Sequence, residues 1–128
     1  MRFLALLLLI SACERDESLT AYGAAGTWDL QEINGQPFDA PASIVFAEDG
    51  QVKGEAPCNS YSTYQSAPYP WIELGPILST KRACADLSAE QDYFAALGKM
   101  SLAEVSGELL ILSNDEDESL LFRKQHDG

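Results

Sequence analysis

The sequence contains very little histidine, and this scarcity limits the chemistry that the chain can support. The only histidine is His126, close to the C-terminus. A terminal segment cannot hold a general base in place, so Ser-His and Cys-His nucleophilic centres are excluded. No Gly-x-Ser-x-Gly motif occurs, and a metal site would have to be built from carboxylates alone. The sequence therefore predicts no catalytic residue, no metal site and no cofactor.

Basic residues are also scarce. The chain has 8 Lys+Arg against 20 Asp+Glu, a formal net charge of -12. Such a chain is repelled by nucleic acid and by anionic lipid headgroups, so a nucleic-acid partner is not expected. A solvated acidic surface is the favoured interpretation of this charge, and a basic partner is the alternative.

The N-terminal apolar run is short. Phe3 to Ile10 is unbroken and follows Met1-Arg2, but it cannot span a bilayer core of about 30 Å. A positive start, a short apolar run and the small residues Ser11 and Ala12 make the layout of an export signal peptide, assigned to residues 1–12. Ile10-Ser11-Ala12-Cys13 resembles the lipobox of bacterial lipoproteins.

The lipobox resemblance implies cleavage before Cys13, transfer of diacylglycerol to its sulfur and acylation of the new amine with a fatty acid such as palmitate. Because more than one acyl chain is needed for stable anchoring, a multiply acylated Cys13 would hold the protein on a membrane. Residues 13–24 are then the lipidated cysteine and a polar tether. We expect a periplasm-facing envelope protein, on the outer membrane rather than the inner one.

Two cysteines remain, Cys58 and Cys84. In an oxidising compartment an even pair is more often bonded than free, so a disulfide is favoured over two free thiols. Closing this loop would stabilise the fold by about 3 kcal/mol in the chain-entropy model.

Short β-rich runs recur between turn residues. Strands are predicted at residues 26–33, 43–46, 51–54, 58–64, 71–74, 77–80, 109–112 and 120–122, with another near Val105. Asn34-Gly35 and Glu48-Asp49-Gly50 mark hairpin turns. The predicted fold class is α+β, mostly β: a compact antiparallel sheet or partly closed barrel with one helix packed on it.

One helix is predicted after Cys84. Ser88 and Gln91 fit a capping box at its start, where each side chain would satisfy a backbone donor. An apolar face follows at helical spacing, and the helix end is expected between Leu97 and Ala103. That face comprises Tyr93, Phe94, Leu97 and Met100.

Trp28, Cys58-Asn59-Ser60-Tyr61 and Thr80-Lys81-Arg82-Ala83-Cys84 follow one another in an order that resembles the META domain, or HslJ-like, family of bacterial envelope proteins. The resemblance covers nearly the whole mature body, assigned to residues 25–125. It implies a compact β-rich fold with a packed helix, in secreted or lipid-anchored proteins, and no known catalytic residues.

The candidate binding residues are Asn59, Tyr61, Tyr64, Trp71 and Arg82. An asparagine at such a position more often bonds nearby backbone than a ligand. Lys81-Arg82 would form an ion pair with a neighbouring acid or, alternatively, an anion site. The aromatic span from Tyr61 to Trp71, which includes Tyr69, is either an exposed patch or core, and the sequence leaves both open.

The run Asn114-Asp115-Glu116-Asp117-Glu118 is acidic but has no glycine for a calcium loop. We expect it to be an exposed hairpin tip.

Together these features predict a non-catalytic, lipid-anchored cell-envelope protein that acts through binding or through envelope maintenance and stress response. One alternative is a carrier of a hydrophobic ligand, which would need an aliphatic cavity inside the sheet. The other is an inhibitor or chaperone of a second envelope protein.

Overall fold

The computed structural model describes residues 19–126. The predicted signal peptide, the lipobox and Cys13 lie outside the described residues.

The described chain forms an antiparallel sheet with one α-helix, which confirms the predicted fold class. The sheet has nine strands, ordered β6-β5-β4-β3-β1-β9-β8-β7, with β2 paired only to β1. It does not close into a barrel. The strands are β1 Thr27–Ile33, β2 Gln36–Pro37, β3 Ser43–Phe46, β4 Gln51–Glu55, β5 Ser60–Tyr64, β6 Leu78–Ser79, β7 Leu102–Ser106, β8 Leu109–Ser113 and β9 Ser119–Lys124. Helix α1 is Leu87–Leu97, and a 3-10 helix covers Thr20–Tyr22.

The predicted hairpins form where turn residues relieve backbone strain. Asn34 and Gly35 both have positive φ, 52° and 80°, and join β1 to β2. This is the conformation that two-residue hairpin loops require, and Asn-Gly adopts it readily. The expected β3–β4 hairpin also forms, with Val45 opposite Lys53 and Phe46 opposite Val52.

Alternation along the strands places one face of the sheet in the core. Trp28 and Leu30 of β1 are buried, as are Ile44 and Phe46 of β3. The indole nitrogen of Trp28 donates to the Ala24 carbonyl at 3.0 Å. The remaining fully buried side chains come from neighbouring strands and from the helix, and include Val52, Tyr93, Leu97, Leu110, Leu112, Leu120 and Phe122.

The helix begins two residues earlier than the predicted N-cap Ser88 implies, so the capping-box prediction is wrong. Its N-cap is Asp86, with no side-chain capping hydrogen bond. The Leu87 amide donates to the Cys84 carbonyl at 3.2 Å, and this turn sets the start of the helix. Ser88 therefore lies within the first turn. The helix ends at Leu97, inside the predicted range.

Residues 71–74 do not form the predicted strand. They make only isolated bridges, Gln65 to Leu74 and Trp71 to Leu102. Pro68 and Pro70 lack amide donors, and the Trp71 amide turns back to the Pro68 carbonyl at 2.8 Å. The segment therefore crosses between β5 and β7 without continuous pairing.

The folded body extends N-terminally to Leu19. Leu19 is 3% exposed and Ala24 is fully buried, although the sequence placed both in the tether. Within residues 19–126, no helix has the length and apolar character needed to cross a membrane.

Candidate functional site

Cys58 and Cys84 form the predicted disulfide. Their Cα atoms are 5.6 Å apart. The bond joins the segment before β5 to the segment before α1, so it fixes both ends of the chain that carries Lys81 and Arg82.

Asn59 lies beside the disulfide and is 3% exposed. Its Oδ1 accepts hydrogen bonds from the Thr80 hydroxyl at 2.8 Å and the Arg82 amide at 2.6 Å. Its Nδ2 donates to the Arg82 carbonyl at 2.9 Å. Asn59 thus holds residues 80–82 through the Thr80 hydroxyl and the Arg82 backbone. The sequence favoured a bond to nearby backbone; the bond is to backbone, but 23 residues away.

Glu90 completes this buried polar cluster. It lies in the first turn of α1 and is 4% exposed. Its Oε1 accepts from the amides of Cys58 and Asn59, both at 2.8 Å, and its Oε2 accepts from Asn59 Nδ2 at 2.7 Å. A buried carboxylate is stable only when hydrogen-bonded in this way, because desolvation disfavours its charge.

The sequence analysis missed Glu90. The pattern that would have found it is its spacing with Tyr93 and Leu97, at i, i+3 and i+7, which places the acid on the buried face of the helix.

Tyr61 belongs to the core and cannot contribute an accessible ring. Its hydroxyl donates to the Ser43 carbonyl at 2.7 Å and accepts from the Tyr93 hydroxyl at 2.6 Å. Burial is the main cause that raises the pKa of both phenols. Gly54 makes room for this contact: a Cβ there would lie 2.8 Å from the Tyr61 hydroxyl and 2.0 Å from the Ser43 carbonyl oxygen.

The structure divides the aromatic span from Tyr61 to Trp71 into two environments. Tyr61 is buried, whereas Tyr64 is 63% exposed and Trp71 is 55% exposed. Tyr69 stacks on Tyr22 with ring centroids 4.5 Å apart. The span is therefore neither one exposed patch nor wholly core.

Lys81 and Arg82 are exposed, and neither forms an ion pair with any residue from 19 to 126. The expected ion pair with a nearby acid is thus not found within the described residues. Asn59 fixes the backbone of this segment, so the two cationic side chains are presented to solvent. We call residues 80–82 the basic loop.

A concavity of about 690 Å³ adjoins the basic loop. It lies on the face of the sheet opposite most of the core, as the alternation of buried and partly exposed residues in β1, β3 and β5 shows. Val45 and Leu78 are its aliphatic side chains, and Lys53 and Glu55 its charged ones. Hydroxyl side chains dominate the rest, so we call it the hydroxyl groove: Thr27, Ser43, Ser60, Ser62, Ser79 and Thr80.

Comparison with known protein families shows which family the chain belongs to. The META domain family profile matches residues 18–127. The chain belongs to the META domain family.

Solved structures agree with this assignment at the level of the fold. A DUF4847 family protein from Bacteroides vulgatus has a TM-score of 0.70 at 16% identity, covering 85% of this chain and 100% of its own. A protein from Burkholderia xenovorans has a TM-score of 0.67 at 18% identity, covering 84% and 87%. A third protein has a TM-score of 0.64 at 18% identity, covering 84% and 95%. No curated protein is significantly similar to the chain.

The acidic turn of this META domain is exposed at Asp115, Glu116 and Asp117, as predicted. Asn114 organises it: its Oδ1 accepts from the amides of Glu116 and Glu118, and its Nδ2 donates to Glu118 Oε1 at 2.9 Å. This side-chain bond, followed by the charge of Lys99, lowers the pKa of Glu118. Among residues 19–126, no three His, Cys, Asp or Glu side chains are grouped to hold a metal ion.

Of the candidate binding residues, only Asn59 and Arg82 are in direct contact. Tyr61 lines the groove from the core side, and neither Tyr64 nor Trp71 lines it. The groove itself was not predicted, because its walls come from strands that are distant in sequence.

Proposed function

We propose that this META domain protein is a non-catalytic, lipid-anchored cell-envelope protein that binds an acidic partner at the hydroxyl groove and the basic loop. One observation carries the proposal. Lys53 lines the hydroxyl groove, and Lys81 and Arg82 line a neighbouring concavity that shares Ser79 and Thr80 with it. None of these three cations forms an ion pair with a described residue. In a chain with a formal net charge of -12, such unpaired cations are the natural contact for carboxylates of another molecule.

The charge elsewhere on the chain supports the same location. Lys99 is paired with Glu118 at 3.6 Å, and Lys124 lies over the Trp28 ring at 5.7 Å. An acidic partner is repelled by most of the acidic surface and attracted to the groove, which favours docking there and a salt-sensitive association rate. Glu55 lines the groove beside Lys53 and limits how many negative groups can enter it.

The shape of the site favours an extended polar segment over a lipid-like ligand. The groove is open and has only two aliphatic side chains, Val45 and Leu78. Large apolar side chains fill the core face of the sheet. A carrier of hydrophobic molecules would instead need an aliphatic cavity, so this alternative lacks support. An acidic segment of another envelope protein fits the groove, and the inhibitor or chaperone alternative is one form of that binding.

The chemistry of the buried acid supports binding without catalysis. Both oxygens of Glu90 accept hydrogen bonds within the fold. A general acid or base must lie within reach of a substrate, and Glu90 is only 4% exposed and is hydrogen-bonded at both oxygens inside the fold. The lipid anchor and envelope location are supported by the apolar run and by Ile10-Ser11-Ala12-Cys13.

Photo-crosslinking in intact cells tests this proposal. A photo-reactive amino acid placed at Ser62, in the groove, should capture an identifiable envelope protein, whereas placement at the exposed Glu116 should not. The adduct should be lost in Lys81→Gln/Arg82→Gln and retained in the control Lys99→Gln, because Lys99 lies outside the groove. Equal capture at Ser62 and Glu116, or an adduct indifferent to the basic loop, would contradict the proposal.

A further inference from the structure

A second surface lies where the tether enters the fold. We call it the aromatic end and define it by the stacked rings of Tyr22 and Tyr69 and by the exposed Trp71, which follows Tyr69 by two residues. We propose that the aromatic end rests on the membrane to which Cys13 is attached, with the Trp71 indole in the headgroup region. This inference rests on the lipid anchor of the proposed function.

The chain between the lipidated Cys13 and the folded body is short, so it keeps the body near the membrane. Leu19 is buried, so the folded body is fixed from that residue onward. Only six peptide units separate Cys13 from Leu19. A fully extended chain spans at most about 3.3–3.6 Å per residue, so Leu19 lies within roughly 20–22 Å of the lipidated cysteine. This bound holds for every conformation of the tether, so the end of the domain nearest Leu19 stays close to the lipid surface.

Rigid aromatic side chains stand at this end. Tyr22 follows Leu19 by three residues, is 43% exposed, and stacks on Tyr69 with an interplanar angle of 6°. The Tyr69 hydroxyl accepts a hydrogen bond from the Val105 amide at 3.2 Å, which fixes the ring against β7. Trp71, two residues further on, is 55% exposed.

The residue types match a lipid interface. Tyrosine and tryptophan concentrate at the headgroup level of membranes, because an apolar ring and a polar tip suit a boundary between hydrocarbon and water. Their insertion does not depend on a net positive charge, and the formal net charge of this chain is -12. Anionic headgroups should oppose the docking, so zwitterionic lipid is the appropriate surface.

The test anchors the chain chemically, so that it does not depend on lipidation in the cell. With Cys58 and Cys84 bonded, Cys13 is the only free thiol of the three cysteines in residues 13–128. It can be coupled to a maleimide phospholipid in phosphatidylcholine vesicles. Trp28 is fully buried and Trp71 exposed, so of the two tryptophans only Trp71 reports on the surface.

We expect lipids brominated in the upper acyl chain to quench the Trp71 emission at least about twofold, with a blue shift, since the indole would lie at the interface. Trp71→Phe should remove the quenching. The matched control is Leu78→Trp in the Trp71→Phe background, which moves the exposed indole to β6, the strand at the other end of the sheet order from β7. That indole should stay accessible to aqueous acrylamide.

Three results would overturn the inference. One is Trp71 that remains open to acrylamide and unquenched by lipid. Another is equal lipid quenching at position 78, which would mean a randomly oriented domain. The third is protection of Trp71 from acrylamide that increases with the surface density of the protein and is not accompanied by lipid quenching. That result would mean that a second copy of the protein, and not lipid, covers the aromatic end. Absence of lipid on Cys13 in cells is measured separately and would remove the proposed anchor, whatever the vesicles show.

Discussion

At the residue scale, Glu90 and Asn59 connect three separate segments of the chain. Glu90 accepts hydrogen bonds from the two backbone amides that precede β5, those of Cys58 and Asn59. Asn59 accepts a hydrogen bond from the Arg82 amide in the basic loop and donates one to the Arg82 carbonyl. Every buried side-chain nitrogen or oxygen in the described part of the chain has a partner. A cluster that is fully satisfied specifies one arrangement of the loop, because any other arrangement would leave a buried donor or acceptor unpaired.

The first prediction concerns Glu90→Gln. A glutamine amide has one oxygen, which accepts, and one NH₂ group, which only donates. In either orientation the NH₂ group meets a donor, either the amides of Cys58 and Asn59 or Asn59 Nδ2, so at least one buried hydrogen bond is lost. We expect the free energy of unfolding to fall by about 2–4 kcal/mol, since the lost acceptor is charged and buried. Urea denaturation with the disulfide intact measures this.

The control is Asp92→Asn, an amide substitution at an exposed acid on the same helix, expected to change stability by no more than about 0.5 kcal/mol. Equal stability of the two variants would show that the Glu90 contacts do not support the fold.

The sequence alone predicted the two-residue turn between β1 and β2. Asn34-Gly35 specified its hairpin because few other residues tolerate two successive positive φ angles. The sequence favoured Asn59 bonding nearby backbone in a turn; its side chain does bond backbone, but that of Arg82, 23 residues away. Its partner Glu90 was missed because a buried acid depends on donors more than thirty residues away in the chain.

At the element scale, the disulfide and the Asn59 contacts hold the same piece of chain between β6 and α1. The cysteine pair could be predicted from parity and compartment, whereas the helix start could not. Ser88 and Gln91 had the residue types of a capping box, but the turn from Cys84 to Leu87 begins the helix earlier. The strand predicted at residues 71–74 does not form. The segment meets β7 only at the bridge between Trp71 and Leu102, and Pro68 and Pro70 before it prevent continuous pairing.

The second prediction is made at this scale. Reducing the Cys58–Cys84 bond should lower the free energy of unfolding by about 2–5 kcal/mol, because the unfolded chain regains the freedom of a closed loop. Urea denaturation of oxidised and reduced protein measures the difference, and alkylation of the thiols verifies the redox state of each sample. The same unfolding midpoint in both samples would mean that the bond adds nothing to stability.

At the scale of the whole molecule, the groove and the aromatic end are products of the fold. Thr27, Ser62 and Leu78 meet at the groove only because β1, β5 and β6 belong to one sheet. Stacking of Tyr22 on Tyr69 likewise joins residues from distant segments. Side-chain alternation along a strand separates its two faces, but no local pattern states which residues of different strands become neighbours on the surface. The candidate binding residues named from sequence therefore include Arg82 of the basic loop but omit most of the residues that line the groove.

Both proposals place this META domain at a membrane surface, and the lipid on Cys13 is the claim on which they depend. The most direct measurement is labelling of cells with a fatty acid analogue, followed by the intact mass of the purified protein. We expect a labelled chain that begins at Cys13 and carries acyl chains on its sulfur and amine, together with complete loss of label in Cys13→Ala. An unacylated mature chain, or label that persists in Cys13→Ala, would contradict it.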